Sequence, residues 1–400
     1  MNNTKIGWKK KAILFFVSQC ITLFGSQIVS MAIIWHVTLQ TNSGIWVAAF
    51  SLCSYLPQFF VSFVGGVWAD RYNKKRLIIG ADFLIALVTL IMLFAMPYIG
   101  TGDSLLFVLL AMSAVRSAGA GIQGPAVNAV IPGLVPEDSL MRYNGINATM
   151  QSVVQFAAPA VSAVILTAGN LCLTLAADVL TAVFGIGILS CLALHDNKTG
   201  AVSESVIFDL RIGTDYAWRN QTVRKMLIIY AAFTFLTVPA GYLNGLLVSR
   251  VFGNTYWYLT AAELVGFGGM MAGGLVVSAW GGFRSHSMTL AAGLGVFGLM
   301  AIGMGICHHF LLYLILMSLY GVALTVVQTT ITTVLQQSCK PELHGRIFGL
   351  LNSLYAGFYP AGMAIFGPMA DHMPLQTMMV LSGFALMAVG FYSFVGIDKK

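Results

Sequence analysis

The stretch Gly66-Val67-Trp68-Ala69-Asp70-Arg71-Tyr72-Asn73-Lys74-Lys75-Arg76-Leu77-Ile78 decides how this chain is built. Asp70, Arg71, Lys74, Lys75 and Arg76 crowd together there, in a sequence in which only 9% of residues are charged. An apolar stretch near 44–68 precedes it and another near 77–99 follows it. Each is as long as the roughly 20 residues a helix needs to cross a bilayer. A short basic turn between two such stretches marks where a chain leaves one spanning helix and enters the next.

The same alternation extends along the 400 residues. Apolar stretches fall near 12–38, 44–68, 77–99, 104–127, 145–168 and 171–194, and again near 225–248, 257–280, 287–306, 310–335, 346–369 and 376–396. The sequence therefore predicts an all-α membrane protein of twelve transmembrane helices. A soluble domain carries about 25% charged residues, so a chain this poor in charge cannot cover its surface against water. A membrane barrel would instead alternate polar and apolar residues over segments of about 10. The apolar stretch after Lys9, Lys10 and Lys11 is too long for a cleaved leader and reads as the first span.

The net charge of +7 is explained by topology. Lys and Arg favour cytoplasmic loops. Lys5 and Lys9 to Lys11 precede the first span, the Arg71 to Arg76 cluster follows the second, and Arg142 follows the fourth. Lys198, Arg211, Arg219, Arg224 and Lys225 fill the centre, and Arg284, Lys340, Arg346, Lys399 and Lys400 complete the same side, against Arg250 alone on the other. Both termini are expected in the cytoplasm, and no nucleic-acid partner is needed to account for the basic residues. The central segment 195–222 divides the chain into bundles 1–194 and 223–400 and is expected to include an amphipathic surface helix. Gly274 to Arg284 after the eighth span echoes Gly66 to Arg76, a worn internal repeat.

Polar residues inside the spans are the functional candidates. Arg116 lies mid-span, where an unpaired arginine is costly, and is expected to face the interior and pair with an acid. Asp178 is the better partner by depth. Glu263 is an acid of the second bundle, and Asp82 sits near the cytoplasmic end of the third span, where a structural or gating role is expected. Asn147, Gln151 and Gln155 recur every four residues along one helical face. With Gln27, Gln58, Phe233, Asn244, Gln328, Asn352 and Tyr355 they form the candidate cavity: many apolar contacts and few polar anchors, which suits a bulky amphipathic molecule. His36, His308 and His309 lack the spacing of a metal site, and the six cysteines read as reduced packing residues. No cofactor is expected, and no Gly-x-x-x-x-Gly-Lys-Ser/Thr loop is present to bind ATP. Neither a nucleophile–base pair nor clustered metal ligands point to an enzyme.

The run from Gly66 to Ile78 resembles the loop 2–3 signature of major facilitator transporters, Gly-x-Leu-Ala-Asp-Arg-x-Gly-Arg-Lys-x-x-Leu. Asp70, Arg71 and Lys75 match it, while Trp68, Asn73 and Ile78 depart from it. More narrowly, the chain is similar to the macrolide-efflux, drug:proton antiporter branch. The likeness rests on Met31-Ala32-Ile33-Ile34, Gly80-Ala81-Asp82, Arg116-Ser117-Ala118-Gly119, Pro125 to Val130, Leu134-Val135-Pro136-Glu137 and Pro341 to Phe348. Ala158-Pro159-Ala160-Val161-Ser162-Ala163 resembles a worn antiporter signature, Gly-Pro-x-x-Gly-Gly.

The resemblance implies two pseudo-symmetric six-helix bundles in a bacterial inner membrane, acting as a monomer. It also implies gating by Gly66, Asp70, Arg71, Lys75 and Asp82 against the start of span eleven at Gly345 and Arg346, and proton coupling through Arg116, Asp178 and Glu263. The implied partners are membrane lipids, protons and a small-molecule substrate. A metabolite, nutrient or lipid carrier of the same fold, with another direction or coupling, stays open.

Overall fold

A computed structural model describes residues 3–100, 102–136, 139–168, 171–192, 215–339 and 344–397. All of the regular structure in them is helical, as it must be where lipid offers the backbone no hydrogen-bond partner. The helices are α1 (Asn3–Thr41), α2 (Gly44–Arg71), α3 (Lys74–Ala95), α4 (Asp103–Leu134), α5 (Leu140–Ala168) and α6 (Leu171–Cys191), then α7 (Gln221–Leu236), α8 (Asn244–Val251), α9 (Tyr256–Trp280), α10 (His286–Ile306), α11 (Phe310–Ser338), α12 (His344–His372) and α13 (Leu375–Ile397). Their ends follow local chemistry. Asn73, within the opening basic stretch, accepts the Arg76 N–H at 3.0 Å and starts α3. Asn220 caps α7 by accepting the N–H groups of Thr222 and Val223. Gly281, at φ +71°, ends α9 in the left-handed conformation that glycine adopts most cheaply. The amphipathic helix expected within 195–222 falls largely on residues 193–214, outside the described ones.

Ten helices among the described residues are long and apolar enough to cross a membrane. The seventh and eleventh expected spans differ from the other ten. The stretch 225–248 is not one helix: α7 stops at Leu236, a π turn runs Val238–Tyr242, and α8 begins at Asn244. Pro239 causes this, since it has no N–H to donate and its ring clashes with the preceding turn. The wider turn closes with the Leu243 N–H on the Val238 carbonyl at 3.1 Å. The stretch 346–369 lies in one 29-residue helix, α12, but Asn352, Ser353, Tyr355, Tyr359 and Pro360 dilute its apolar character.

By internal contacts the chain divides into two units: residues 1–37 with 50–203, and residues 38–49 with 204–400. In the first unit α3 packs on α4 and α6, and Phe15, Ile78, Ile131 and Leu189 belong to one buried core. In the second, α10 packs on α13, and α9 on α11. These seams are built on glycine, because without water the helices gain by close approach of their backbones. Gly266, Gly269 and Gly273 line one face of α9, and a Cβ built at Gly269 would stand 2.1 Å from the Ser318 carbonyl oxygen of α11. Gly298 of α10 and Gly383 of α13 face one another in the same way.

Gly269→Ala is expected to force α9 and α11 apart, lowering stability by about 1–3 kcal/mol as overpacking does. Gly268→Ala, whose added carbon meets nothing within 4 Å, should leave the thermal midpoint in detergent unchanged. Equal midpoints for the two variants would refute this account of the seam.

Candidate functional site

The site begins with two rungs between antiparallel helices. On α3, Asp82 and Thr89 are seven residues apart; on α4, Arg116 and Gln123 are also seven apart. The Arg116 guanidinium donates to the Thr89 hydroxyl, and Gln123 Nε2 donates to Asp82 Oδ1 at 2.7 Å. At 1.5 Å per residue the rungs stand about 10 Å apart along the helices. Between them Gly119 fits against Ile85, where a Cβ would come within 2.7 Å of Ile85 Cγ1.

The upper rung holds an ion pair. Arg116 is 6% exposed and Asp178, on α6, 3%, and Arg116 Nη1 bonds Asp178 Oδ2 directly. Thr89 sits within the pair, its hydroxyl 3.1 Å from Asp178 Oδ2 and 2.9 Å from the Ile85 carbonyl. Nη2 of Arg116 donates to Ser26 Oγ of α1 at 3.1 Å. One guanidinium thus gathers α1, α3, α4 and α6. Separating two buried charges is far more costly than the net gain of their pairing.

These groups line a cavity of about 400 Å³ inside the first unit. Gln27, Gln58, Asn147, Gln151 and Gln155 all reach it, together with Arg116, Asp178 and Asp82. The sequence suggested a structural or gating role for Asp82, and the structure places it on this cavity. It is 4% exposed in the cavity wall, and its Oδ2 has no hydrogen-bond partner among the described residues. Depth along the helix did not foretell this, because closeness to a span's end says nothing of which face a residue occupies.

Ser117 is a residue that sequence reasoning passed over. It accepts the Gln58 N–H at 2.9 Å and donates to the Ser54 carbonyl at 2.8 Å, bridging the turn of α2 disturbed by Pro57. This fixes the backbone of Gln58 at the cavity. Thr89, Ser26 and Gln123 were also missed. The shared seven-residue interval on α3 and α4 was the available signal, legible only once the two helices are known to pair.

The residues expected to gate have these surroundings. Gly66 has nothing within 4 Å of an added Cβ; the close approach belongs to Gly65, which packs on Gly121 of α4. Lys75 caps α6: its Nζ donates to the carbonyls of Ser190 and Leu192, each at 2.7 Å, where a helix end carries partial negative charge. The side chains of Asp70, Arg71, Gly345 and Arg346, with the contact expected among them, lie outside the described ones.

In the second unit Phe233 is 2% exposed and packs on Phe297 at 5.0 Å, so it is core. Asn244 is buried at the start of α8, while Gln328 and Asn352 are exposed. Tyr355 lies parallel to Tyr359 and shares a 2.8 Å hydrogen bond with Tyr242. None of these five lines the cavity of the first unit. Glu263 lies in α9 and makes no ion pair among the described residues, unlike Asp178.

The Major Facilitator Superfamily profile matches residues 15–360. The chain belongs to this superfamily. Macrolide efflux protein A of Streptococcus pyogenes is 26% identical over 387 residues, 96% of this chain and 95% of that one. Multidrug efflux pump Tap of Mycobacterium tuberculosis is 22% identical over 398 residues, 95% of this chain and 91% of that one. Among solved structures, the nucleoside transporter NupG superposes with a TM-score of 0.68 at 12% identity, covering 98% of this chain and 99% of that one. Major facilitator proteins are multi-pass membrane transporters of small molecules, not enzymes. This chain is thus a secondary transporter of the all-helical major facilitator fold.

A second polar cluster in this transporter lies within the second unit, which includes the join between α1 and α2. Asp371, beyond the apolar part of α12, accepts from Ser43 Oγ at 2.7 Å and from the N–H groups of Gly44 and Ile45 at 2.6 and 2.9 Å. It thereby caps α2 from another helix. Arg250, at the end of α8, donates to Asp371 Oδ1 and to the carbonyls of Ala370 and Asn42. Asn42 turns the chain at φ +48°, a region asparagine tolerates. A Cβ on Gly44 would lie 2.1 Å from the Gly367 carbonyl oxygen. Burial raises the Asp371 carboxyl, but the donors from Ile45, Ser43, Gly44 and Arg250 outweigh it and hold its pKa below the ordinary 3.8.

Asp178→Asn is expected to destabilise the protein by about 3–5 kcal/mol, since it leaves the Arg116 charge buried and unpaired. Adding Arg116→Met should recover part of that loss in thermal unfolding, and an additive double variant would argue against the pairing. Because the Asp371 pKa is depressed on folding, its contribution is full well above pH 3.8 and fades as the pH falls below that value. The difference in thermal midpoint between wild type and Asp371→Asn should therefore stay constant at neutral pH and shrink in acid.

Proposed function

We propose that this chain is a proton-coupled exporter of amphipathic, drug-like molecules in a bacterial cytoplasmic membrane. In this reading α7 with α8, and α12, complete twelve spans. Both termini lie in the cytoplasm, and the monomer works by alternating access. The observation that carries the proposal is the Arg116–Asp178 pair in the wall of the amide-lined cavity.

A cavity of about 400 Å³ matches the size of small-molecule sites. Ile33, Ile34, Phe50 and Ile85 give it apolar wall, and the glutamines give it adaptable donors and acceptors. Such a lining suits a molecule with a greasy body and scattered polar groups. Protonating Asp178 would cancel the charge that holds Arg116, leaving the guanidinium to seek other partners across α1, α3 and α4. Proton binding is thereby tied to the packing of the cavity wall. The likeness to efflux proteins over nearly the whole chain supports export and a drug-like cargo.

The test is transport in inside-out vesicles with a macrolide and, separately, a cationic dye, with and without an imposed pH gradient. Accumulation that requires the gradient and disappears in Asp178→Asn is the expected result. Gradient-driven accumulation that survives this substitution would remove the pair from coupling. Absence of movement for either compound would overturn the drug-export reading.

A further inference from the structure

Among the described residues the cavity wall contains two carboxylates and one guanidinium, and the guanidinium is already engaged. Among the described residues, Asp82, Arg116 and Asp178 are the titratable side chains that line it. Arg116 bonds Asp178 at the upper rung. Asp82 stands two helical turns away, about 10 Å along α3, too far for the same guanidinium to neutralise it at contact. Its nearest fixed partner is the uncharged Gln123 amide, which occupies Oδ1 alone. Oδ2 is buried and has no donor among the described residues. Serine, threonine and amide side chains supply the rest of the cavity's polarity, and among the described residues no lysine reaches it.

A carboxylate so placed is unusual in energetic terms. An isolated buried charge carries a large desolvation cost unless a counter-charge or several donors meet it. Gln123 supplies one donor to a group that can accept about four hydrogen bonds. The amide also orients the carboxylate without cancelling its charge. Ser117 and Gln58 hold the facing wall in place, so the site is built on helices and not on mobile loops.

We propose that Asp82 is the cation-recognition residue of this cavity, and that it selects substrates bearing a single positive charge, an ammonium or iminium group on an apolar body. This rests on reading the cavity as the substrate chamber. It assigns the two acids different work: Asp178 holds Arg116, and Asp82 provides the counter-charge that the substrate itself completes. The substrate's charge meets Oδ2, its apolar body lies along the isoleucine and phenylalanine wall, and neutral molecules of similar size gain no such partner.

The experiment is direct binding of ethidium, a permanent monovalent cation, to the purified full-length protein by fluorescence, with no pH gradient present. Asp82→Asn should weaken binding by about 10- to 100-fold, the range for losing a charge-assisted contact. Asp82→Glu, which keeps the charge, should retain most of the affinity. Tetraphenylphosphonium should displace ethidium from wild-type protein, and the neutral molecule chloramphenicol should not, a comparison that holds even where Asp82→Asn fails to fold. Equal affinity of Asp82→Asn and wild type would overturn the assignment. So would displacement by chloramphenicol as effective as by the cation, or a wild-type protein that binds neither cation. Because no gradient enters the measurement, failure here leaves the proton-coupling test standing, and failure of that test leaves this one standing.

Discussion

An arginine in the middle of a membrane helix has to be answered from within the protein, and much of the first unit is arranged around that requirement. Arg116 draws a carboxylate from α6, a hydroxyl from α3 and a hydroxyl from α1 to one point. Hydrophobic burial cannot specify such a point, because lipid tails solvate leucine as well as another helix does. A buried charge can, since each alternative arrangement leaves it unpaired. The same demand draws Gln123 and Asp82 into register below it.

The second unit has no comparable buried pair among the described residues and is assembled by fit. Glycines at 266, 269 and 273 face α11, and Gly298 and Gly383 bring α10 and α13 into backbone contact. Its polar organisation is concentrated at one edge instead, where Asp371 and Arg250 hold the turn at Asn42. The two units thus reach similar helical packing by different means, one from charge at its centre and the other from small residues along its seams.

Much of this was legible in the sequence. Long apolar stretches gave the helices, because helical hydrogen bonding is the main backbone solution in lipid. Asn73 and Gly281 marked helix ends through chemistry that is local. The depth of Arg116 and Asp178 within their spans pointed to a pair. Pairwise fit between distant helices was less accessible. Neither Thr89 nor Ser117 looks different from any other hydroxyl until its partner helix is known. Gly65 and Gly66 are indistinguishable in sequence, yet only one meets α4. The place of Asp82 on the cavity was not legible, because its distance from the span's end was readable and its facing was not. Pro239 was visible from the outset, but the π turn it forces was hidden by the even hydropathy of the residues around it.

The equal seven-residue interval on α3 and α4 has a mechanical meaning. Sliding one helix past the other by a turn would set Arg116 opposite Ile85 or Met92 and carry Gln123 away from Asp82 at the same time. Both polar rungs would break together, and Gly119 would lose the isoleucine it accommodates. Tilting or travelling as one stiff beam costs the pair neither rung, whereas shear costs both. A motion that keeps both rungs carries the backbones of α3 and α4, and with them Asp82 and Arg116, together.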